Sequence, residues 1–286
     1  MIKIIFFDVD GTLLRMGEKN ISDKTLYALK ALKKKGILLC MATGRSYPEI
    51  PHFDGVDFDI LSTFNGSYIV RDEDVIYKNP LNNTDKNMLI QNLKKMNRAI
   101  AISNENIIVA NGTDPDLEQY FLFGNVELII SDKFDEISKG EIYQVMCSGT
   151  CGEYDTILKG CRNSQITAWW DKAVDIIPLN GGKGNAVNVI LNYYGLAKEE
   201  ALAFGDGEND IEMLEAVGTG VAMGNAKDNV KTKANAICKS VEEDGIYYYC
   251  VENNLIESIE NTDNSPTNKI HKQRTAYCRE MWQLSR

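Results

Sequence analysis

The sequence predicts an α/β fold: a doubly wound parallel sheet with a second, α+β domain inserted into it. Three observations predict it. Residues 2–7 form an apolar run broken only by Lys3, which ends abruptly in Asp8-Val9-Asp10-Gly11-Thr12. That is the pattern of a strand buried on both faces inside a parallel sheet. Strand and helix patterns then alternate, as parallel strands joined by crossover helices require. Near Asn79-Pro80 the alternation gives way to short hairpins and helices, and after Pro178 it resumes.

In chain order, Ser22 is placed to cap a helix carrying Leu26, Leu29 and Leu32 on one stripe. Lys33-Lys34-Lys35-Gly36 closes it, the lysines suiting the negative helix end. Residues 37–41 read as a second buried strand. Thr43-Gly44-Arg45-Ser46 follows and is expected to open another helix near Pro48. Residues 59–64 read as a third strand, with Asn65-Gly66 as a two-residue hairpin turn and residues 67–70 returning. Asn65 is read first as turn chemistry, with a supporting role near a site as the alternative.

The insertion is expected over residues 80–179. Its pattern is a helix at 84–96, paired strands at 99–103 and 107–111, and a helix at about 116–121. Strands near 126–130 and 141–147, a helix at about 153–159, and strands at 165–170 and 173–177 complete it. Trp169-Trp170 is expected to place one ring on helices and one at the sheet edge, or one ring against a substrate. Hairpins alternating with helices indicate an antiparallel sheet, and about 100 residues suffice for a separate core.

From Gly181-Gly182-Lys183-Gly184 a helix carries Val187, Ile190 and Leu191. Residues 201–204 are a fully apolar strand closed by Gly205-Asp206-Gly207-Glu208-Asn209-Asp210. A helix with Ile211, Leu214 and Val217, a strand and turn at 220–225, a short strand at 236–238 and a helix at 247–255 end the pattern. Residues 1–79 and 180–258 thus form one domain and 80–179 the other. The polar stretch 259–286 is expected to be a disordered or loosely docked tail.

A chain of 286 residues, 44% hydrophobic and 25% charged, has ample material for such cores. The net charge of −10 argues against nucleic acid as main partner. Seven scattered cysteines, whose one cluster, Cys147, Cys151 and Cys161, has no histidine near it, read as reduced thiols. No apolar run reaches ~18 residues and the start is a strand, so a cytoplasmic protein without membrane or obligate protein partner is expected.

The chemistry-bearing residues sit at predicted strand ends, where open parallel sheets place their functional crevice. Asp8 and Asp10, two apart on extended chain, point roughly the same way, and paired carboxylates call for a cation or a proton. Thr43 and Gly44 offer a hydroxyl and a backbone N–H to an anion. Lys183, flanked by glycines, is a point charge beside a helix start.

Four segments in order, Asp8-x-Asp10-Gly11-Thr12, Thr43-Gly44-Arg45, Gly182-Lys183-Gly184 and Gly205-Asp206-Gly207-Glu208-Asn209-Asp210, resemble the motifs of the haloacid dehalogenase (HAD) superfamily of phosphohydrolases. The resemblance spans roughly residues 1–258 and is closest to the Cof-type subgroup, with its large C2-type cap on a Rossmann-like core. It implies a magnesium-dependent phosphatase for small phosphorylated metabolites, sugar phosphates first and cofactor phosphates such as pyridoxal phosphate or flavin mononucleotide next. By resemblance Asp8 is the nucleophile that forms an aspartyl-phosphate, and Asp10 is the general acid/base. Asp8, the Asp10 carbonyl and Asp206 would hold Mg2+. Thr43, Gly44, Lys183 and Asn209 would contact phosphate, and Thr12 and Asp210 would support, the latter by orienting Lys183 or a metal water. Arg45 either meets a second anionic group or pairs with a carboxylate. The cap would close as a lid about hinges near Asn79-Pro80 and Pro178-Leu179. A phosphomutase of the same fold, or a phospho-receiver module, are the alternatives.

Overall fold

The computed structural model describes residues 1–124 and 126–259, so the expected tail from 260 onward lies outside the described residues. The chain first lays down β1 (Ile4–Phe7), α1 (Asp23–Lys34), β2 (Leu38–Ala42), β3 (Ile60–Thr63), β4 (Tyr68–Arg71) and β5 (Asp74–Lys78). It then builds α2 (Asn83–Lys95), β6 (Ala101–Ser103), β7 (Ile108–Ala110), α3 (Pro115–Phe123) and α4 (Phe134–Ile137). β8 (Gln144–Ser148), α5 (Tyr154–Ile157), β9 (Ser164–Thr167) and β10 (Ala173–Pro178) follow. The last part is α6 (Lys183–Tyr194), β11 (Ala201–Gly205), α7 (Ile211–Ala216), β12 (Thr219–Ala222), α8 (Asp228–Lys231), β13 (Ala236–Ile237) and α9 (Gly245–Glu252).

The first sheet has the order β13-β12-β11-β1-β2-β3-β4-β5, parallel except for the β3-β4-β5 meander at one edge. Its opening strand lies in the middle, hydrogen-bonded to β2 on one side and β11 on the other. Period-two alternation sends Ile5 and Phe7 into a cluster with α1 and α9. Ile4 and Phe6 point the other way, against Val187 and Ile190 of α6 and Met213 and Leu214 of α7. All four are fully buried, each contributing about 1.5–3 kcal/mol of hydrophobic stabilisation. Ser22 caps α1 through Thr25 N, and Leu29 and Leu32 are buried as the stripe requires.

The second sheet, β7-β6-β8-β10-β9, is antiparallel throughout. Val145, Cys147, Val174 and Ile176 turn to a core with α2 and α5. The alternate residues Gln144, Met146 and Asp175 are therefore on the opposite face. Phe64, beyond β3, stacks on Tyr143 of the second unit with ring centroids 5.2 Å apart. No described helix is long and apolar enough to cross a membrane, and the six described cysteines are free thiols.

Four local expectations are corrected. No α-helix follows Arg45, only a 3-10 turn at Tyr47–Glu49. Pro51 lacks an N–H and its ring would clash with the Tyr47 carbonyl in a continued helix. Residues 126–130 make one isolated bridge, Ala110 to Ile130, because three-residue β7 offers little edge to pair with. β9 stops at Thr167, so both tryptophans lie in the bend before β10. The β3–β4 connection has four residues, Thr63 pairing with Tyr68, and not two. The edge strand β5 was not foreseen, since its apolar run is only Val75-Ile76-Tyr77 between charged residues and none of it is fully buried.

Candidate active site

Asp8 is the first residue past β1, still tied to the sheet by its N–H on the Phe204 carbonyl at 3.0 Å. The chain then turns: the Val9 carbonyl accepts from the N–H groups of Leu13 and Leu14 at 3.0 and 2.8 Å. Asp10 forms an isolated bridge with Leu14, and although both carboxylates line the same cavity they take different partners, Lys183 for Asp8 and Arg45 for Asp10. The turn works only because residue 11 is glycine. Its φ is +90°, and a Cβ there would lie 2.2 Å from Asp206 Oδ2.

Lys183, at the start of α6, is fully buried and donates to Asp8 Oδ1 and Asp210 Oδ1, both at 2.6 Å. Asp210 Oδ2 accepts from the backbone N–H groups of Asp206 and Gly207, each at 2.9 Å, so both its oxygens are in use. Asp206 accepts from the Thr12 hydroxyl at 2.8 Å and from Asn225 Nδ2 at 3.2 Å. Burial, then Asp210, hold Asp8 well above the usual carboxylate range despite Lys183. Burial and Asp210 likewise push Asp206 to about 7. Burial alone would lower Lys183, but the two paired carboxylates outweigh it and raise it. Three carboxylates around one ammonium leave unbalanced negative charge in a low-dielectric place.

That imbalance makes a fit test for a metal. Oxygens of Asp8, Asp206 and Asp210 lie within 4.8 Å of one another. All are hard donors, the kind Mg2+ takes, and a dication would relieve their mutual repulsion. The residues fit. Asp210, already spent on Lys183 and two N–H groups, is better suited to hold the arrangement than to bind.

Asp10 is gripped by Arg45 in a two-point contact, Nε to Oδ2 at 2.8 Å and Nη2 to Oδ1 at 2.7 Å. The geometry therefore takes the carboxylate-pairing alternative for Arg45. Thr43 is buried and its Oγ1 accepts from Arg45 N at 3.0 Å, which leaves its hydroxyl proton available. Thr43, Gly44 and Asn209 line the same cavity as Asp8.

Asn65 is the main correction here. Phe64, Asn65 and Gly66 all have φ near +50° to +90°, a costly sequence for the two non-glycines. Gly66 must also lie against Gly182, whose carbonyl would be 2.6 Å from a Cβ. The strain delivers the Asn65 side chain, fully buried, into a bridge between the two units. Its Nδ2 donates to Asp175 Oδ2 at 3.2 Å and Gln144 Oε1 at 3.3 Å, and its Oδ1 accepts from Asn209 Nδ2 at 3.1 Å. Pure turn chemistry does not describe it.

Between the two units lies a cavity of about 290 Å³ with Asp8, Asp10 and Asp206 on one side. Sequence reasoning missed three residues that line it, Asn225, Glu49 and Tyr120, and Asp175, which holds the Tyr120 hydroxyl. Asn225 sits past β12, one more parallel strand end, and could have been found by that rule. Glu49, Tyr120 and Asp175 carried no motif.

A family profile described as haloacid dehalogenase-like hydrolase matches residues 5–250. The Bacillus subtilis protein YkrA is 30% identical over 260 residues, 89% of this chain and 99% of its own. An HMP-PP phosphatase of Citrobacter koseri is 30% identical over 238 residues, covering 79% and 85%. Among solved structures, a HAD subclass IIB sugar phosphatase superposes with TM-score 0.80 at 29% identity, over 89% of this chain and all of its own. A HAD-superfamily phosphatase from Bacteroides thetaiotaomicron reaches 0.82 at 28% identity, over 90% and 96%.

Proposed function

The chain belongs to the haloacid dehalogenase-like hydrolases, and on that premise we propose that it is a magnesium-dependent phosphatase of small phosphorylated molecules. The observation that carries the proposal is Asp8: a carboxylate at the carboxyl edge of the sheet, one oxygen held by buried Lys183, facing a cavity. Relatives named as HMP-PP, uracil-derivative and sugar phosphatases support the substrate size.

Lys183 holds Oδ1 of Asp8, which leaves Oδ2 to attack phosphorus in line with the leaving oxygen. The bond to the leaving group breaks, Asp10 gives that oxygen a proton, and an aspartyl-phosphate forms. Asp10, now a base, takes a proton from water. The water attacks phosphorus and releases inorganic phosphate and the free Asp8 carboxylate. Both Asp10 oxygens accept from Arg45 here, so Arg45 releases one of them for Asp10 to carry its proton and pairs with the carboxylate again once the proton has left. Thr43, Gly44 and Asn209 hold phosphoryl oxygens, and Thr12, Asn225 and Asp210 keep Asp206 and Lys183 in place. Asp8, the Asp10 carbonyl and Asp206 would hold Mg2+, which supplies positive charge against the carboxylates and the phosphoryl oxygens. The second unit, residues 80–179, acts as a lid that closes over the cavity and excludes water.

A screen of phosphorylated metabolites, with magnesium and with a chelator, tests this. Phosphate release is expected with magnesium only, and Asp8→Asn lowers it by about 10³-fold or more. An Asp8→Asn enzyme with wild-type turnover would overturn the mechanism.

A further inference from the structure

Tyr120, Asp175, Asn65 and Asn209 are hydrogen-bonded in series across the two units, and the series has a direction. Asp175 of β10 can, as a carboxylate, only accept. Its Oδ1 takes the Tyr120 hydroxyl at 2.6 Å. Its Oδ2 therefore obliges Asn65 to present nitrogen. Asn65 Nδ2 donates to it at 3.2 Å and to Gln144 Oε1 of β8 at 3.3 Å, so both N–H bonds of that amide are spent on the second unit. The Asn65 oxygen is left facing the first unit, where it accepts from Asn209 Nδ2 at 3.1 Å. On the far side the series begins in the cavity wall. Tyr120 packs on Trp169 at 5.2 Å and Trp169 on Phe123 at 6.0 Å, and all three rings line the cavity.

The consequence falls on Asn209. A free asparagine can turn either end toward a ligand, nitrogen or oxygen. Here the Asn65 oxygen selects the nitrogen end. The amide is planar, so fixing one of its N–H bonds fixes the other. That second N–H has no partner among the described residues, and Asn209 lines the cavity with Asp8. It is a donor kept for an anionic oxygen, which the carbonyl end would repel. The backbone of Asn65 is held as firmly. Its N–H donates to the Thr43 carbonyl at 3.0 Å, and its carbonyl accepts from Gly182 N at 2.9 Å. The side chain lies against Gly44, where a Cβ would come within 3.1 Å of Asn65 Nδ2. One residue thus touches Thr43, Gly44 and Asn209, the glycine turn before Lys183, and the second unit. Asparagine is the side chain that best tolerates the left-handed φ of +50° this position requires.

Resting on the phosphatase reading above, we propose that Asn65 is a positioning residue that makes the phosphate-binding amide of Asn209 conditional on closure of the lid. With the lid seated, Asp175 sets the direction of Asn65, and Asn65 sets the direction of Asn209. With the lid away, Asp175 and Gln144 leave with it. Asn65 loses its reference and Asn209 turns freely. The donor is then assembled only over a substrate whose leaving group the second unit has accepted. The backbone strain at Phe64 and Asn65 serves that contact.

The test uses p-nitrophenyl phosphate and magnesium at pH 8, where Asp175, lifted by burial to about 6, is ionised. Asn65→Gly removes the amide and keeps a residue suited to positive φ. It should lower kcat by about tenfold or more with KM within about threefold, and Asn209→Ala should do the same. The double variant should match Asn209→Ala alone within about twofold, because Asn65 acts through Asn209. Asp175→Asn still accepts from Tyr120 but turns its own N–H on Asn65, which reverses the series. It too should lower kcat by about tenfold and add nothing to Asn209→Ala. Should Asn65→Gly not fold, the Asp175 and Asn209 pair decides. Losses that multiply in the double variants, a change confined to KM, or an Asp175→Asn enzyme with wild-type kcat overturns the inference and leaves the phosphatase reading standing. A wild-type enzyme that releases no phosphate from p-nitrophenyl phosphate or acetyl phosphate brings down the phosphatase reading and this inference with it.

Discussion

The eight-stranded sheet offers the cavity the ends of its strands, whereas the five-stranded sheet offers a face. At strand ends the backbone turns, so N–H groups, glycines and capping carboxylates all converge: Asp8 after β1, Asp206 after β11, Asn225 after β12. On a face only every second side chain looks inward, as Gln144, Met146 and Asp175 do. The ends therefore hold a dense charged cluster, with Lys183 and three carboxylates drawn together. The face holds rings and aliphatic groups, with one acid, Asp175, tied down by Tyr120 and Asn65. Chemistry common to all phosphate esters fits the first kind of surface, and recognition of a particular leaving group fits the second.

The largest test of this contrast removes the charge at the strand ends. Lys183→Met leaves Asp8 and Asp210 buried without their shared cation, at a cost of about 3–5 kcal/mol. Urea unfolding should show that loss, and magnesium should recover part of it if the carboxylates bind the ion.

On the face, the matching test is pH. Burial lifts Asp175 from the ordinary 3.8 to about 6, against the hydrogen bonds of Tyr120 and Asn65 that lower it. The folded protein holds this proton more tightly than the unfolded chain does. Its stabilising contribution is complete below about pH 4 and is lost as pH rises through about 6, a change of about 3 kcal/mol by pH 7. Asp175→Asn cannot ionise. Relative to wild type its stability should therefore improve by about that amount between pH 4 and pH 7, and a constant gap would refute the shift.

Asn65→Ala cuts the bridge between the two surfaces and leaves Asp175 and Asn209 short of partners. It should cost about 1–3 kcal/mol and speed proteolysis near residues 79 and 179. The smallest test compares helix caps. Ser22 caps α1 under the first sheet, and Asp114 caps α3, which carries Tyr120. Either alanine substitution should cost about 1 kcal/mol, but only Asp114→Ala should also raise KM.

The strand-end residues were legible because each arrives in a short contiguous signal: an apolar run, then acid, glycine or threonine. Thr12, Thr43, Lys183 and Asp206 could all be placed that way. Asn65 was misread because Asn-Gly is ordinary turn chemistry, and its partners Asp175 and Gln144 lie 110 and 79 residues away. Tyr120, Trp169 and Glu49 come from a helix, a bend and a 3-10 turn, with no spacing in common.

Local pattern alone thus determined the α/β class, the burial of the opening strand on both faces and the charged residues at the strand ends. Burial periodicity and turn chemistry act within a few neighbouring positions. Tertiary structure alone decided that Arg45 takes Asp10, that Asn65 ties the two units together, and that an aromatic wall stands over Asp8. Those contacts join positions far apart in the chain, and only the packing of one sheet's ends against the other's face brings them within bonding distance.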